Sequence, residues 1–163
     1  MAKFNMEQLL AVTEVQQLIN DWAHELDVHN GLHISDLVTE DCNYVVGGAP
    51  RHGRTAVRTF YQERLERLSA QPGGVPTQRH MLSNLRTSFR STGEVSITFT
   101  LLYFTSAGMA SGVNHADPAA VADVRMDCRR DDDGQWRIAM FDSNQTFKRV
   151  PPDPPGVAPS QGR

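Results

Sequence analysis

The chain has 163 residues, of which 39% are hydrophobic and 21% are charged, and its formal net charge is −3. Its length is close to the ~150 residues of one domain, and the small negative charge argues against a nucleic-acid partner. The apolar runs are far shorter than the roughly 20 residues that span a bilayer, and no secretory signal is visible. We therefore expect a cytoplasmic protein with no membrane segment.

The first half of the sequence has helical spacing. Apolar residues recur every three or four positions over residues 6–30 and predict an amphipathic helix that Asn30-Gly31 ends. Turn residues and further periodic stretches predict a short helical segment, a short strand, a turn and a second helix, over 35–38, 43–46, 47–50 and 54–68.

The second half changes to a period of two, which is typical of strands with one buried face. Strands are predicted over 79–90, 95–103, 120–129 and 135–147. Asp133-Gly134 closes the last hairpin, because this dipeptide tolerates positive φ. Cys42 and Cys128 lie far apart without a CxxC motif, so we expect two buried thiols of a reducing cytoplasm.

Helices first and long antiparallel strands afterwards predict an α+β fold. The N-terminal helices are expected to pack on a curved, mainly antiparallel sheet and to form a cone-shaped α+β barrel that encloses one pocket. Residues 1–149 make up this single domain, and 150–163 are a Pro-rich C-terminal tail. A Gly/Ser-rich loop, Met109–Pro118, is expected to be mobile and to border the pocket mouth.

Four pieces of sequence carry a family resemblance. They are Leu26-Asp27, Gly53 before the second helix, His80-Met81-Leu82-Ser83-Asn84 and Asp133-Gly134-Gln135-Trp136-Arg137-Ile138. At this spacing, residues 6–149 resemble the nuclear transport factor 2-like superfamily. Within it they are most similar to the SnoaL-like branch, which holds polyketide cyclases, scytalone dehydratase and hexachlorocyclohexane dehydrochlorinase.

The resemblance implies that Asp27 and His80 form an acid/base dyad. Imidazole titrates near neutral pH and can exchange a proton with substrate. A carboxylate at its other nitrogen fixes the tautomer and stabilises the imidazolium. Two alternatives are a purely structural Asp–His bond between helix and sheet, and no contact between the two side chains.

Other family positions differ in this sequence. Trp22 and Phe141 fall near the Lys and Arg that assist chloride departure in the dehydrochlorinase, which argues against dehalogenation and leaves both as candidate substrate-binding residues. Leu26 and Thr105 replace a catalytic Tyr and a second His of scytalone dehydratase. Tyr44 remains as the candidate catalytic phenol that polarises a carbonyl.

Two polar strand residues are further candidates for substrate binding. Asn84 shares the parity of His80 and is expected either to line the pocket or to lie on the surface. Asp123 lies on the polar face of its strand, where it would either enter the pocket or be solvated. His24, His29 and His33 cluster near the end of the first helix, but a solvated helix end is expected there, with no metal site.

These observations favour a cofactor-free lyase (dehydratase) or isomerase acting on a small hydrophobic cyclic or polyketide-like substrate. The alternatives are a non-catalytic scaffold similar to the small (beta) subunit of ring-hydroxylating dioxygenases, and a ligand-binding pocket protein. Leu102 and Phe104 on the outer face of the sheet predict a homodimer or homotrimer.

Overall fold

The structure, a computed structural model, describes residues 4–106 and 117–149. Helix α1 spans Met6–His29, and Asn5 caps it through a capping box with Gln8. The helix ends where Asn30 takes the left-handed conformation at φ 58°, followed by Gly31 at φ 83°. This is the ending predicted from Asn30-Gly31.

Apart from strand β2, the remaining elements follow the predicted order. After α1 come a 3₁₀ turn, strand β1, strand β2, helix α2 and four long strands, β3 to β6. Their bounds are Ile34–Leu37, Val38–Val46, Ala49–His52, Arg54–Ser69, Thr77–Ser91, Glu94–Ser106, Ala120–Arg130 and Trp136–Lys148.

The six strands form one sheet in the order β2-β1-β6-β5-β4-β3. Strand β1 pairs with β6 in parallel, and the other pairs are antiparallel. The predicted α+β architecture is confirmed, with two helices packed on a curved sheet that remains open between β2 and β3. The sequence pattern predicts a turn over Gly47 to Pro50 and does not predict strand β2. Proline is tolerated at Pro50 because β2 is an edge strand.

The core lies between the helices and the concave face of the sheet. The alternation predicted for β4 and β5 is confirmed, since their inward residues are buried. These are Val95, Ile97, Phe99 and Leu101 on β4, and Ala122, Val124, Met126 and Cys128 on β5. Outward-facing Leu102 and Phe104 are partly buried, and the homodimer or homotrimer through this face stays a prediction.

Strand β3 reverses its parity at Asn84. Before that residue, Gln78, His80 and Leu82 face inward, and beyond it the more buried positions become Leu85 and Phe89. The register with β4 shifts between Ser83 and Arg86, and Asn84 has φ 57°. A β-bulge with one residue in the left-handed region inserts an extra position, which turns the following side chains to the opposite faces.

Cys42 and Cys128 are free and buried, as predicted. Burial raises the pKa of each thiol to about 12, so neither is a ready nucleophile.

No helix in the described part of the chain is both long and apolar enough to cross a bilayer. The Pro-rich tail over 150–163 and most of the Met109–Pro118 loop lie outside the described residues.

Candidate active site

A cavity of about 280 Å³ opens where α1 and α2 meet the concave face of the sheet. Its wall is mostly apolar and aromatic, with a few polar side chains that converge from α2, β3, β4 and β6. The lining residues are Leu26, Val46, Gly47, Phe60, Tyr61, Arg64, Gln78, His80, Leu101, Tyr103, Ala120, Ala122, Ser143 and Gln145. This composition is typical of a small-molecule site.

Asp27, near the end of α1, holds His80 of β3 at two points. Its Oδ1 lies 2.6 Å from the ring Nδ1, and its Oδ2 accepts a hydrogen bond of 3.0 Å from the backbone N–H of His80. The two side chains are only 12% and 10% exposed. Because the Asp27 carboxylate can only accept a hydrogen bond, Nδ1 carries the ring proton. In the neutral imidazole, Nε2 is then the nitrogen with a free lone pair.

The imidazole of His80 is also fixed by aromatic packing. Trp22 meets it edge-on with ring centroids 5.8 Å apart, and Tyr103 lies against it at 4.9 Å. Among the described residues, no side chain or backbone group bonds Nε2, and the imidazole lines the cavity. An imidazole with a fixed ring and one uncommitted nitrogen, at the wall of a cavity, has the geometry that proton transfer requires.

A second chain of polar groups runs through the aromatic layer beneath the cavity. Trp22 Nε1 donates to Tyr44 Oη at 2.9 Å, and Tyr44 Oη lies 2.8 Å from Tyr61 Oη. An indole nitrogen only donates, so the proton of fully buried Tyr44 has one acceptor among the described residues, Tyr61. Tyr61 accepts that hydrogen bond, and its own O–H has no acceptor among the described residues, in a side chain that lines the cavity.

Burial keeps both phenols protonated. It raises the pKa of Tyr44 well above the ordinary value and the pKa of Tyr61 to about 12. At neutral pH, Tyr61 is therefore a hydrogen-bond donor and not a base.

A third polar group is built around Gln78. Its amide Nε2 donates to the backbone oxygen of Leu26 and to Asn30 Oδ1, which turns its Oε1 toward α2. That oxygen accepts hydrogen bonds from Arg64 Nη2 at 2.8 Å and from Tyr103 Oη at 3.2 Å. Buried Gln78 thus joins the end of α1, helix α2 and strand β4 at the cavity wall.

Three residues predicted to face the substrate lie behind the wall. Trp22, Tyr44 and Phe141 are 1%, 0% and 2% exposed, and none lines the cavity. Tyr44 stacks on Phe141 with ring centroids 4.5 Å apart. Tyr44, predicted as the donor that polarises a carbonyl, therefore does not reach the cavity itself, and its hydroxyl contacts that of Tyr61, which lines it.

Of the alternatives left open for Asn84 and Asp123, the structure favours a position outside the cavity for both. Both line a separate depression, together with Thr98, Arg125 and other polar residues. The bulge moves Asn84 off the face of His80, and Asp123 pairs in register with outward-facing Thr100. Neither side chain belongs to the cavity.

The sequence analysis did not mark several polar cavity residues as functional, among them Tyr61, Arg64, Gln78 and Tyr103. Signals were present for the last three of these. Arg64 follows Tyr61 by three residues and Val57 by seven, which places it on the buried stripe of α2. Gln78 lies two residues before His80 and so on the same face of β3, and Tyr103 pairs with His80 across the ladder.

A cluster of titratable side chains at the end of α1 contains a hydrogen bond that stabilises the following turn. Ligand atoms of Glu25, His29 and His33 lie within 4.8 Å of one another. The carboxylate of buried Glu25 already accepts the backbone N–H of His33 at 2.7 Å. This bond holds the turn that follows the helix.

Comparison with known proteins places the fold. The family model described as the SnoaL-like domain matches residues 7–142. A comparison with curated proteins finds no match to the sequence.

Three solved structures illustrate the likeness. One from Catenulispora acidiphila, in complex with S-DNPA, is 24% identical with a TM-score of 0.68, covering 84% of this chain and 94% of that one. One from Novosphingobium aromaticivorans, provisionally named a scytalone dehydratase, is 17% identical with a TM-score of 0.70, covering 88% and 89%. A hexachlorocyclohexane dehydrochlorinase, LinA type 2, is 15% identical with a TM-score of 0.68, covering 93% and 99%.

At these identities the three structures show a shared fold. The family itself rests on the sequence model, which covers most of the chain and includes Asp27, His80, Tyr61 and Arg64. The chain therefore belongs to the SnoaL-like domain family, within the nuclear transport factor 2-like superfamily.

Proposed function

We propose that this protein is a lyase or isomerase that removes a proton next to the carbonyl group of a small cyclic substrate. The observation that carries the proposal is the contact between Asp27 and His80 at the wall of the cavity. Membership of the SnoaL-like family, together with structural neighbours named as a dehydratase and a dehydrochlorinase, supports an enzyme of this kind.

In the first step, His80 Nε2 takes the proton from the carbon beside the carbonyl. The electron pair of the broken C–H bond forms a C–C double bond, and the carbonyl oxygen gains negative charge. The carboxylate of Asp27 stabilises the imidazolium that forms. The O–H of Tyr61 donates to the developing oxyanion, where a fixed donor is most effective.

The second step returns the proton from the imidazolium. If the substrate carries a hydroxyl on the next carbon, the oxyanion re-forms the carbonyl, the hydroxyl leaves, and the imidazolium protonates it, giving water and an enone. If it carries no such group, the proton is delivered to another carbon of the enolate and the product is an isomer. Neither course changes the oxidation state of the substrate as a whole.

Hydrogen exchange tests the first step without a known substrate. Cyclic ketones such as 1-tetralone and 4-chromanone are incubated with the protein in D₂O, and loss of the α-hydrogen signal is followed by NMR. Wild-type protein should accelerate the exchange. His80→Gln should lower the enzymatic rate about 10²- to 10⁴-fold, the usual contribution of a general base.

The matched control is His52→Gln, since His52 is an exposed histidine on β2, outside the cavity. Its exchange rate should equal that of wild type. Acceleration that survives His80→Gln within about threefold would place the base elsewhere. Binding of these ketones without any exchange would instead favour a ligand-binding protein.

A further inference from the structure

Arg64 brings a positive charge to the cavity. It lies one turn after Tyr61 on α2, is partly buried, and lines the cavity together with His80. Only its Nη2 has partners among the described residues: Gln78 Oε1 at 2.8 Å and, more distantly, Tyr103 Oη at 3.4 Å. Both partners are neutral groups.

Gln78 fixes where this guanidinium lies. Both donors of its amide group are directed at acceptors near the end of α1, so its oxygen has to face Arg64. The O–H of Tyr103 donates to the same oxygen. The Arg64 head group is thus positioned by a buried amide and held toward the cavity, whereas an ordinary surface arginine samples many rotamers.

The charge of Arg64 has no counter-ion within the described ranges, 4–106 and 117–149. No carboxylate there lies within 4.0 Å of it, whereas Arg137 has two carboxylates within that distance. Its Nε and Nη1 make no hydrogen bond to a described residue. A partly desolvated guanidinium with uncommitted donors is a site for an anion.

We propose that the substrate carries a carboxylate that Arg64 binds, so that the enzyme acts on a small cyclic or aromatic keto acid. This inference rests on the proposed function and adds the chemical class of the substrate. The carboxylate takes the free N–H groups of Arg64, and the ring fills the apolar part of the cavity. The carbon to be deprotonated then faces His80.

Stabilising the enolate is a different role, and it fits Arg64 less well. An enolate exists only during the reaction, so the charge of Arg64 would remain uncompensated in the complex with substrate. Tyr61 already offers an O–H donor for that oxygen. A permanent anion on the substrate compensates the guanidinium throughout binding and reaction.

Binding of acids and their neutral amides tests the proposal without any turnover. Calorimetric titrations compare phenylacetate with phenylacetamide and 2-naphthylacetate with 2-naphthylacetamide. Wild-type protein should bind an acid about tenfold or more tightly than its amide, as expected for a charge-assisted contact in a partly buried site. Raising the salt concentration should narrow the difference.

Variants assign that preference to one residue. Arg64→Gln should remove it, and Arg64→Lys should retain part of it, because lysine keeps the charge and loses the planar fork. The control is Arg67→Gln, which removes an exposed charge one turn further along α2 and should keep the wild-type preference. Because Arg64→Lys retains the charge, a folding defect of Arg64→Gln cannot mimic the whole pattern.

The two proposals fail in different ways. His80→Gln should abolish exchange while retaining the preference for acids, so that a loss of chemistry leaves the anion site intact. The proposal for Arg64 is overturned if wild type binds acids no better than amides, or binds no acid of the series. It is also overturned if Arg64→Gln lowers the exchange rate and leaves acid binding unchanged.

Discussion

The two faces of the sheet each hold an aspartate in short polar contacts, but in different surroundings. On the concave face, Asp27 reaches His80 at 2.6 Å and both side chains are nearly buried. On the outer face, Asp127 reaches Arg90 at 2.9 Å and Arg125 at 3.0 Å; its side chain is 15% exposed, but both arginines are 49% exposed. Ion pairs with an exposed partner contribute about 0–1 kcal/mol. Contact distance and burial of the aspartate are therefore alike on the two faces, and the pairs differ in the burial of the partner and in the free ring nitrogen of His80.

The largest expected effect comes from exchanging each aspartate for asparagine. In Asp27→Asn, the amide donates to His80 Nδ1, so Nε2 carries the proton and is no longer basic. We expect the rate of α-hydrogen exchange to fall about 10²- to 10⁴-fold. Asp127→Asn should leave that rate unchanged and lower the free energy of unfolding by about 1 kcal/mol or less. If the two variants lost the same fraction of the exchange rate, the assignment of a catalytic role to Asp27 and not to Asp127 would be wrong.

Substitutions of the two buried phenols, Tyr61 and Tyr44, distinguish the proposed hydrogen-bond donor from the residue that supports it. Tyr61→Phe removes the O–H that faces the cavity and should lower the exchange rate about 10²- to 10³-fold. Tyr44→Phe leaves the Trp22 N–H without a partner in the core and should lower the free energy of unfolding by about 1–3 kcal/mol, with the smaller effect on rate. Exchange kinetics and urea unfolding of both variants measure this; a larger rate loss in Tyr44→Phe would reverse the assigned order.

The smallest effects concern the pH dependence of stability. Burial raises the pKa of Tyr61 from 10.0 to about 12, so the folded state binds more protons than the unfolded state in that window. Stability should fall as pH rises through it. The hydrogen bond from Arg129 lowers the pKa of Asp41 from 3.8 to about 2. There the unfolded state binds more protons, and stability should fall as pH decreases from 3.8 toward 2.

Urea midpoints measured across pH check both windows. Tyr61→Phe should flatten the alkaline limb only in part, because Tyr44 and both thiols also have raised pKa values. Asp41→Asn should flatten the acid limb slightly, since the pair with Arg129 is largely exposed. An Asp41→Asn variant that changed the alkaline limb instead would contradict the assignment.

The sequence pattern predicted the order of elements, except for β2, and the inward faces of β4 and β5. Hydrophobic periodicity depends only on the local sequence, so it can be recognised without knowing which segments pack together. It was enough for α1, which was expected over 6–30 and spans Met6–His29. The family resemblance supplied the two dyad positions.

The polar cavity residues were harder to predict, because their roles depend on contacts distant in sequence. Tyr61 was assigned to the apolar face of α2, and nothing in that segment shows that its hydroxyl meets Tyr44. Gln78 owes its orientation to Leu26 and Asn30, about 50 positions earlier. The position of Asn84 differs from the prediction for a local reason. Period-two alternation along β3 predicts it on the face of His80, but a single residue in the left-handed conformation breaks that alternation.

The β-bulge at Asn84 divides β3 into two halves, and the presence of this one residue decides which side chains of each half point to the core. The half before Asn84 delivers His80 to the cavity, and the half after it delivers Leu85 and Phe89 to the core. A chain with Asn84 deleted would have to expose these apolar side chains or turn His80 away from Asp27. Natural variation in this strand is therefore expected as substitutions, with glycine the most compatible at Asn84, and length changes are expected at the hairpin tip beyond Ser91.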